Sequence, residues 1–186
     1  MPDPEQWRRL LFAATGGLAG FFLLLLARGI ALGVALQAIN IFGSAALSVR
    51  ETLILFGLVP ALLILGAGIT AWALGASLWR GLLTGVIALG VFALLEVGQA
   101  NYSPFNERET LAFVGTAFIA ALISIVGRAR LWGLAAVLGL ALAWAGLRLV
   151  LPGSGFAVSL LAWVTLPLVA AFSTMLRQNR QAEREG

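Results

Sequence analysis

Long apolar runs alternate with short polar breaks along this chain. The runs are roughly 18 to 25 residues long, the length that carries a helix across a hydrocarbon core of about 30 Å. The breaks hold charged or turn-forming residues: Arg28-Gly29, Trp79-Arg80, the stretch 98–107, Arg128 with Arg130, and Pro152-Gly153-Ser154-Gly155. The pattern predicts an all-α integral membrane protein, a bundle of six transmembrane helices arranged as three sequential hairpins. The spans fall at about 9–27, 51–77, 81–97, 108–126, 131–151 and 156–176. Residues 1–8 form an N-terminal segment, 9–176 a single membrane domain and 177–186 a charged tail. Pro60 predicts a kink in the second span, and Pro167 lies inside the sixth.

Residues 30–48 fit this scheme least well. They are apolar, but Gln37, Asn40, Ser44 and Ser48 recur at steps of three and four, which puts them on one helical face. A straight helix over 9–48 would measure about 60 Å. A break at Arg28-Gly29 is therefore expected, followed by an interfacial or re-entrant helix over 30–48.

Composition agrees with the pattern: 61% of residues are hydrophobic and 11% charged, against about 45–50% and 25% in soluble domains. The net charge of +4 is carried by Arg alone. With six spans and an inner N-terminus, eight arginines fall inside and four outside, the sign the positive-inside rule requires. Counting 30–48 as a seventh span reverses this to five against seven. Both termini are thus expected in the cytoplasm, with the chain in a bacterial cytoplasmic membrane. The first run exceeds the roughly 7–15 residues of a signal-peptide core and ends at Arg28 without a small-residue cleavage site, so it reads as a retained span.

Arg50-Glu51-Thr52-Leu53 recurs as Arg108-Glu109-Thr110-Leu111, and Leu78-Trp79-Arg80-Gly81 is echoed by Leu131-Trp132-Gly133. Both tetrapeptides stand at predicted helix starts on the outer edge. Ser48 with Glu51, and Asn106 with Glu109, have capping-box spacing. Their glutamates would suit the positive end of the helix dipole, while Arg50 and Arg108 could reach headgroups.

Arg28, Glu96 and Arg148 lie near the outer ends of rising spans, where charges usually pair or face water. They suggest a cluster with Glu96 between the two arginines. Gln37, Asn40 and Gln99 would add hydrogen-bonding groups to a ligand site near the outer face. Glu96 reads as the only acidic group within a span and would be the sole proton carrier if transport were proton-coupled. Trp7, Trp79 and Trp132 flank inner boundaries as aromatic belts do. Trp72, Trp144 and Trp163 fall within spans, where core or lipid contact is the simpler reading than ligand stacking.

With no Cys and no His, the commonest nucleophile–base pairs and transition-metal ligands are missing. No phosphate-cradling loop is present, and the basic residues do not interleave with aromatics as on a nucleic-acid surface. The expectation is a non-enzyme without cofactor or bound metal. Its partners would be the lipid bilayer, a small-molecule solute, and partner membrane subunits or further copies of itself, not nucleic acid. Gly16 and Gly20 make a small-xxx-small pair on the first helix. Six short-looped helices, inner termini, a long first outer loop and that small-residue face resemble the substrate-binding components of energy-coupling-factor vitamin importers. The resemblance is one of layout and carries over no residues. It implies a small-solute transport component; the alternative is a structural or assembly subunit of a larger membrane complex.

Overall fold

The apolar runs fold as helices throughout. The computed structural model describes residues 4–42, 49–95 and 106–185, with side chains described except at 35–42, 49 and 179–185. Helix α1 covers Pro4–Phe42. Helix α2 (Val49–Leu53) passes through a π-helical turn (Ile54–Leu58) into α3 (Val59–Ala73). Then come α4 (Leu78–Leu94), α5 (Glu107–Ile125), α6 (Leu131–Val150) and α7 (Gly155–Glu185). Counting α2–α3 as one rod, this is a six-helix bundle. Among the described residues, five stretches are long and apolar enough to cross a membrane: Pro4–Val34, Arg50–Ala73, Glu107–Ile125, Leu131–Val150 and Gly155–Gln178. The 17-residue α4 is apolar and shorter. Large apolar side chains such as Phe56, Leu65, Trp72, Val86 and Leu142 point outward. Soluble monomers rarely expose apolar surface on this scale. The chain is a polytopic helical membrane protein, consistent with residence in a lipid bilayer.

The break expected at Arg28-Gly29 is absent. Helix α1 runs on through Phe42, 39 residues in all, or about 58 Å. Residues 30–42 therefore continue the first helix and do not form a separate interfacial or re-entrant one; 43–48 lie outside the described residues. A lone glycine costs a helix only about 1 kcal/mol, too little to end it at Gly29. Arg28 has no need to end the run either, because its charge is received inside the bundle.

The two prolines are accommodated differently. Pro60 lacks an N–H and would press on the carbonyl four residues back. The wider turn just before it relieves that crowding, with the Val59 N–H donating to Ile54 O. Pro167 sits inside α7 and leaves the Trp163 carbonyl without its helical donor. Gly17 of α1 packs onto this notch: a Cβ there would fall on Trp163 O. Gly16 and Gly20 bring α1 equally close to α3, against Ala73 and Thr70. Thr70 Oγ1 donates to Gly16 O at 3.0 Å. The small-residue face of α1 thus serves two neighbours.

Helix α1 packs chiefly on α3 and α7, while α5 touches α3, α4, α6 and α7. Within the membrane-crossing windows, α5 is 61% buried and Arg50–Ala73 only 17%. So α5 is the hub, α4 and α6 lie at the periphery, and the upper part of the α2–α3 rod stands against the surroundings. An aromatic cluster ties the centre together. Phe21 of α1 meets Phe113 of α5 and Phe156 of α7 edge-on, each at 5.6 Å between ring centroids.

The connections gather the charges at two ends. One end, called basic here, holds Arg8, Arg9, Arg80, Arg128, Arg130 and Arg177. Helix α3 stops there in a Schellman turn: the Ala76 N–H reaches Ala71 O at 3.1 Å, and the Gly75 N–H reaches Trp72 O at 2.8 Å. Gly75 has φ 76°, the left-handed region open to glycine. The opposite, far end holds Arg28, Arg50, Arg108, Glu109 and Arg148.

Candidate functional site

At the far end α5 begins at an N-cap. Asn106 is extended, and its side chain accepts from the Glu109 N–H at 2.8 Å. Thr110 Oγ1 adds a bond to Asn106 O at 2.9 Å. This fixes the first turn and aims the Glu109 carboxylate into the bundle. There Arg28 Nη2 donates to Glu109 Oε2 at 2.8 Å, with side-chain exposures of 10% and 3%. Two charges so placed hold each other: the pair offsets part of a large desolvation cost, and removing one partner strands the other. The position of Glu109 in the first turn also sets its negative charge at the positive end of the α5 dipole.

Arg28 pairs with Glu109, which the sequence suggested as a helix cap; whether Arg28 also neighbours Glu96, as expected, falls outside the described residues. Glu96 and Gln99 lie outside the described residues, as does Ser48. Gln37 and Asn40 lie on the extended part of α1, and their side chains are also outside the description. Glu109, at the start of the fourth predicted span, is a buried carboxylate, while the proton-carrier expectation for Glu96 falls outside the described residues. The two tetrapeptide copies differ in setting: Arg50 and Arg108 are both exposed, but Glu51 is half-buried and Glu109 fully so.

Arg148, in the last turn of α6, is only 8% exposed, and its Nε has no hydrogen-bond partner. Four more buried polar atoms share that condition: Arg28 Nε on α1, Thr116 Oγ1 on α5, and Ser159 Oγ and Trp163 Nε1 on α7. Thr116 and Ser159 each stand three residues beyond a phenylalanine that meets Phe21, so they lie just below the aromatic cluster. Sequence reasoning missed both hydroxyls. Serine and threonine in a span usually bond back to their own helix, as Ser124 does to Ala120 O at 2.6 Å, and nothing in the sequence separates the two kinds. Of the in-span tryptophans, Trp72 is exposed and Trp163 is in the core; Trp144 is half-buried and donates to Thr165 Oγ1 at 2.8 Å.

The far end therefore combines a buried ion pair, a buried cation with unused donor capacity, and the N-termini of α5 and α7, which present N–H groups and positive dipole ends. Such a surface favours a small anion or a polarised carbonyl group. Comparison with protein-family models, with characterised proteins and with solved structures finds no match to this chain.

Proposed function

We propose that this protein is a small-solute transport component whose binding site lies at the far end, around Arg28, Glu109 and Arg148. The observation that carries the reading is Arg148: a guanidinium almost wholly buried, with Nε lacking an acceptor. A buried charge is costly unless something pairs with it. A solute bearing a carboxylate or similar anionic group would supply that pairing, with Gln37, Asn40, Glu96 and Gln99 as further candidate contacts. In this reading the three hairpins thread from a cytoplasmic basic face, in keeping with the arginine bias, and the membrane is a bacterial cytoplasmic one. No chemical step is involved, and the protein works with further subunits or copies.

Purification in mild detergent, followed by mass spectrometry of retained small molecules and proteins, tests this. The expected result is a retained anionic solute that is lost from Arg148→Met while that variant keeps its helical content and elution volume. A solute-free protein held in a stoichiometric larger complex would instead identify a structural or assembly subunit.

A further inference from the structure

Helices α1, α3 and α7 do not close on one another at the basic end. They leave a cleft of about 440 Å³, with Arg8, Arg9 and Arg128 at its polar side and Phe12, Leu74 and Met175 among its apolar walls. Among the described residues its one lining acid, Glu5, is engaged by Arg9 at 3.1 Å. Arg9 also donates to Gln178 Oε1 at 2.7 Å. Arg128 directs Nη1 at Leu74 O, 2.9 Å away, and at Ser124 O. Its Nη2 lies against Gly75, where any side chain would crowd it. Arg8 makes no ion pair or hydrogen bond among the described residues. Two positive charges thus remain uncompensated over an apolar floor. Burial, and after it the charges of Arg80 and Arg9, hold the pKa of Arg128 below its ordinary value. An anion in the cleft would relieve that repulsion.

The setting selects the kind of anion. Trp7 is exposed at the same level, as tryptophans are at a membrane–water interface. On the other side of the α1–α7 crossing lies a wholly apolar groove lined by Trp7, Leu10, Leu11, Leu168 and Phe172, among others. The cleft thus sits where headgroups meet acyl chains. Guanidinium groups match phosphate oxygens in shape and charge, and basic pockets between membrane helices are suited to anionic headgroups. We propose that this cleft is a headgroup site for an anionic phospholipid, whose phosphodiester sits between Arg8 and Arg128 while its chains lie along the apolar surface of α1 and α7.

Native mass spectrometry of the full-length protein, titrated with phosphatidylglycerol, phosphatidylcholine or inorganic phosphate, tests the assignment. One phosphatidylglycerol should be retained in preference to phosphatidylcholine. Arg8→Gln, at an exposed position with no bonds to lose, should weaken that retention about five-fold, the weight of one surface arginine. Arg130→Gln, a charge control outside the cleft, should leave it unchanged. Equal retention of both lipids, or equal losses from Arg8→Gln and Arg130→Gln, would overturn the site. Displacement of the lipid by inorganic phosphate at comparable concentration would overturn it too, in favour of a soluble phosphate ligand.

Discussion

At the basic end, Arg80 donates to Val126 O at 3.2 Å, Arg177 to Gly127 O at 2.9 Å and Arg128 to Leu74 O at 2.9 Å. At the far end, Arg28 reaches a carboxylate through Nη2, and the Nε atoms of Arg28 and Arg148 both reach nothing. Helix direction explains much of the contrast. Helices α3 and α5 finish at the basic end, where their last carbonyls need donors and their dipoles favour cations. Arginines there complete the helix ends and lock the α5–α6 turn onto α3 and α7. Helices α5 and α7 begin at the far end and present donors. An arginine among donors needs an acid, which Arg28 finds in Glu109, or a ligand, as proposed for Arg148. Similar side chains thus close helix ends at one face, while at the other one is paired with a carboxylate and one keeps an unused donor.

The sharpest way to break this comparison is Glu109→Ala. It leaves Arg28 buried without its carboxylate and should cost about 3–5 kcal/mol in a reversible unfolding assay in detergent micelles. Replacing both partners, as in Arg28→Met with Glu109→Leu, should recover most of that loss. A small effect of Glu109→Ala alone would mean that water reaches the pair. Next in size is Gly17→Val at the waist joining the two ends. Its side chain meets the Trp163 carbonyl and Pro167, and overpacking of this kind costs about 1–3 kcal/mol, visible as a lower midpoint in the same assay. At the basic end, Arg128→Gln should cost only about 0.5–1.5 kcal/mol, the worth of an ordinary hydrogen bond, with faster hydrogen exchange in the last turn of α3. The smallest effect belongs to Arg148→Met. If that guanidinium is held for a ligand, its removal should leave ligand-free stability unchanged or slightly raised. A loss as large as that of Glu109→Ala would give Arg148 a structural role and end the contrast.

Much of the architecture was legible in the chain. Apolar run lengths marked the crossing helices, and the boundaries at Leu131, Gly155 and Glu107 fall within a residue or so of expectation. The Gly16–Gly20 face was readable because only small residues let helices approach closely in lipid. The extent of α1 was misread, since a charged residue beside a glycine looks like a stop when its partner is far away in sequence. The candidate site was legible only in outline. Arg28 and Arg148 stood out as charges in apolar surroundings. Glu109 looked like a cap because its N–H does bond to Asn106, and that local signal says nothing about where the carboxylate points.

Run length, turn chemistry and spacing sufficed to read a multi-spanning helical protein, the starts of the helices at Glu107, Leu131 and Gly155 to within a residue or so, and which charges lie at the same end, but not where α1 and α7 stop. All three signals are local. The tertiary structure decided which helix became the hub, that Gly17 fits the notch at Pro167, and that the buried carboxylate facing Arg28 is Glu109. The last two depend on residues 81 or more positions apart in the chain, the first on how whole helices pack, and no local pattern encodes either. The repeated Arg-Glu-Thr-Leu illustrates the division: four identical letters specify two helix starts, but it is packing against α1 that brings Glu109 to Arg28.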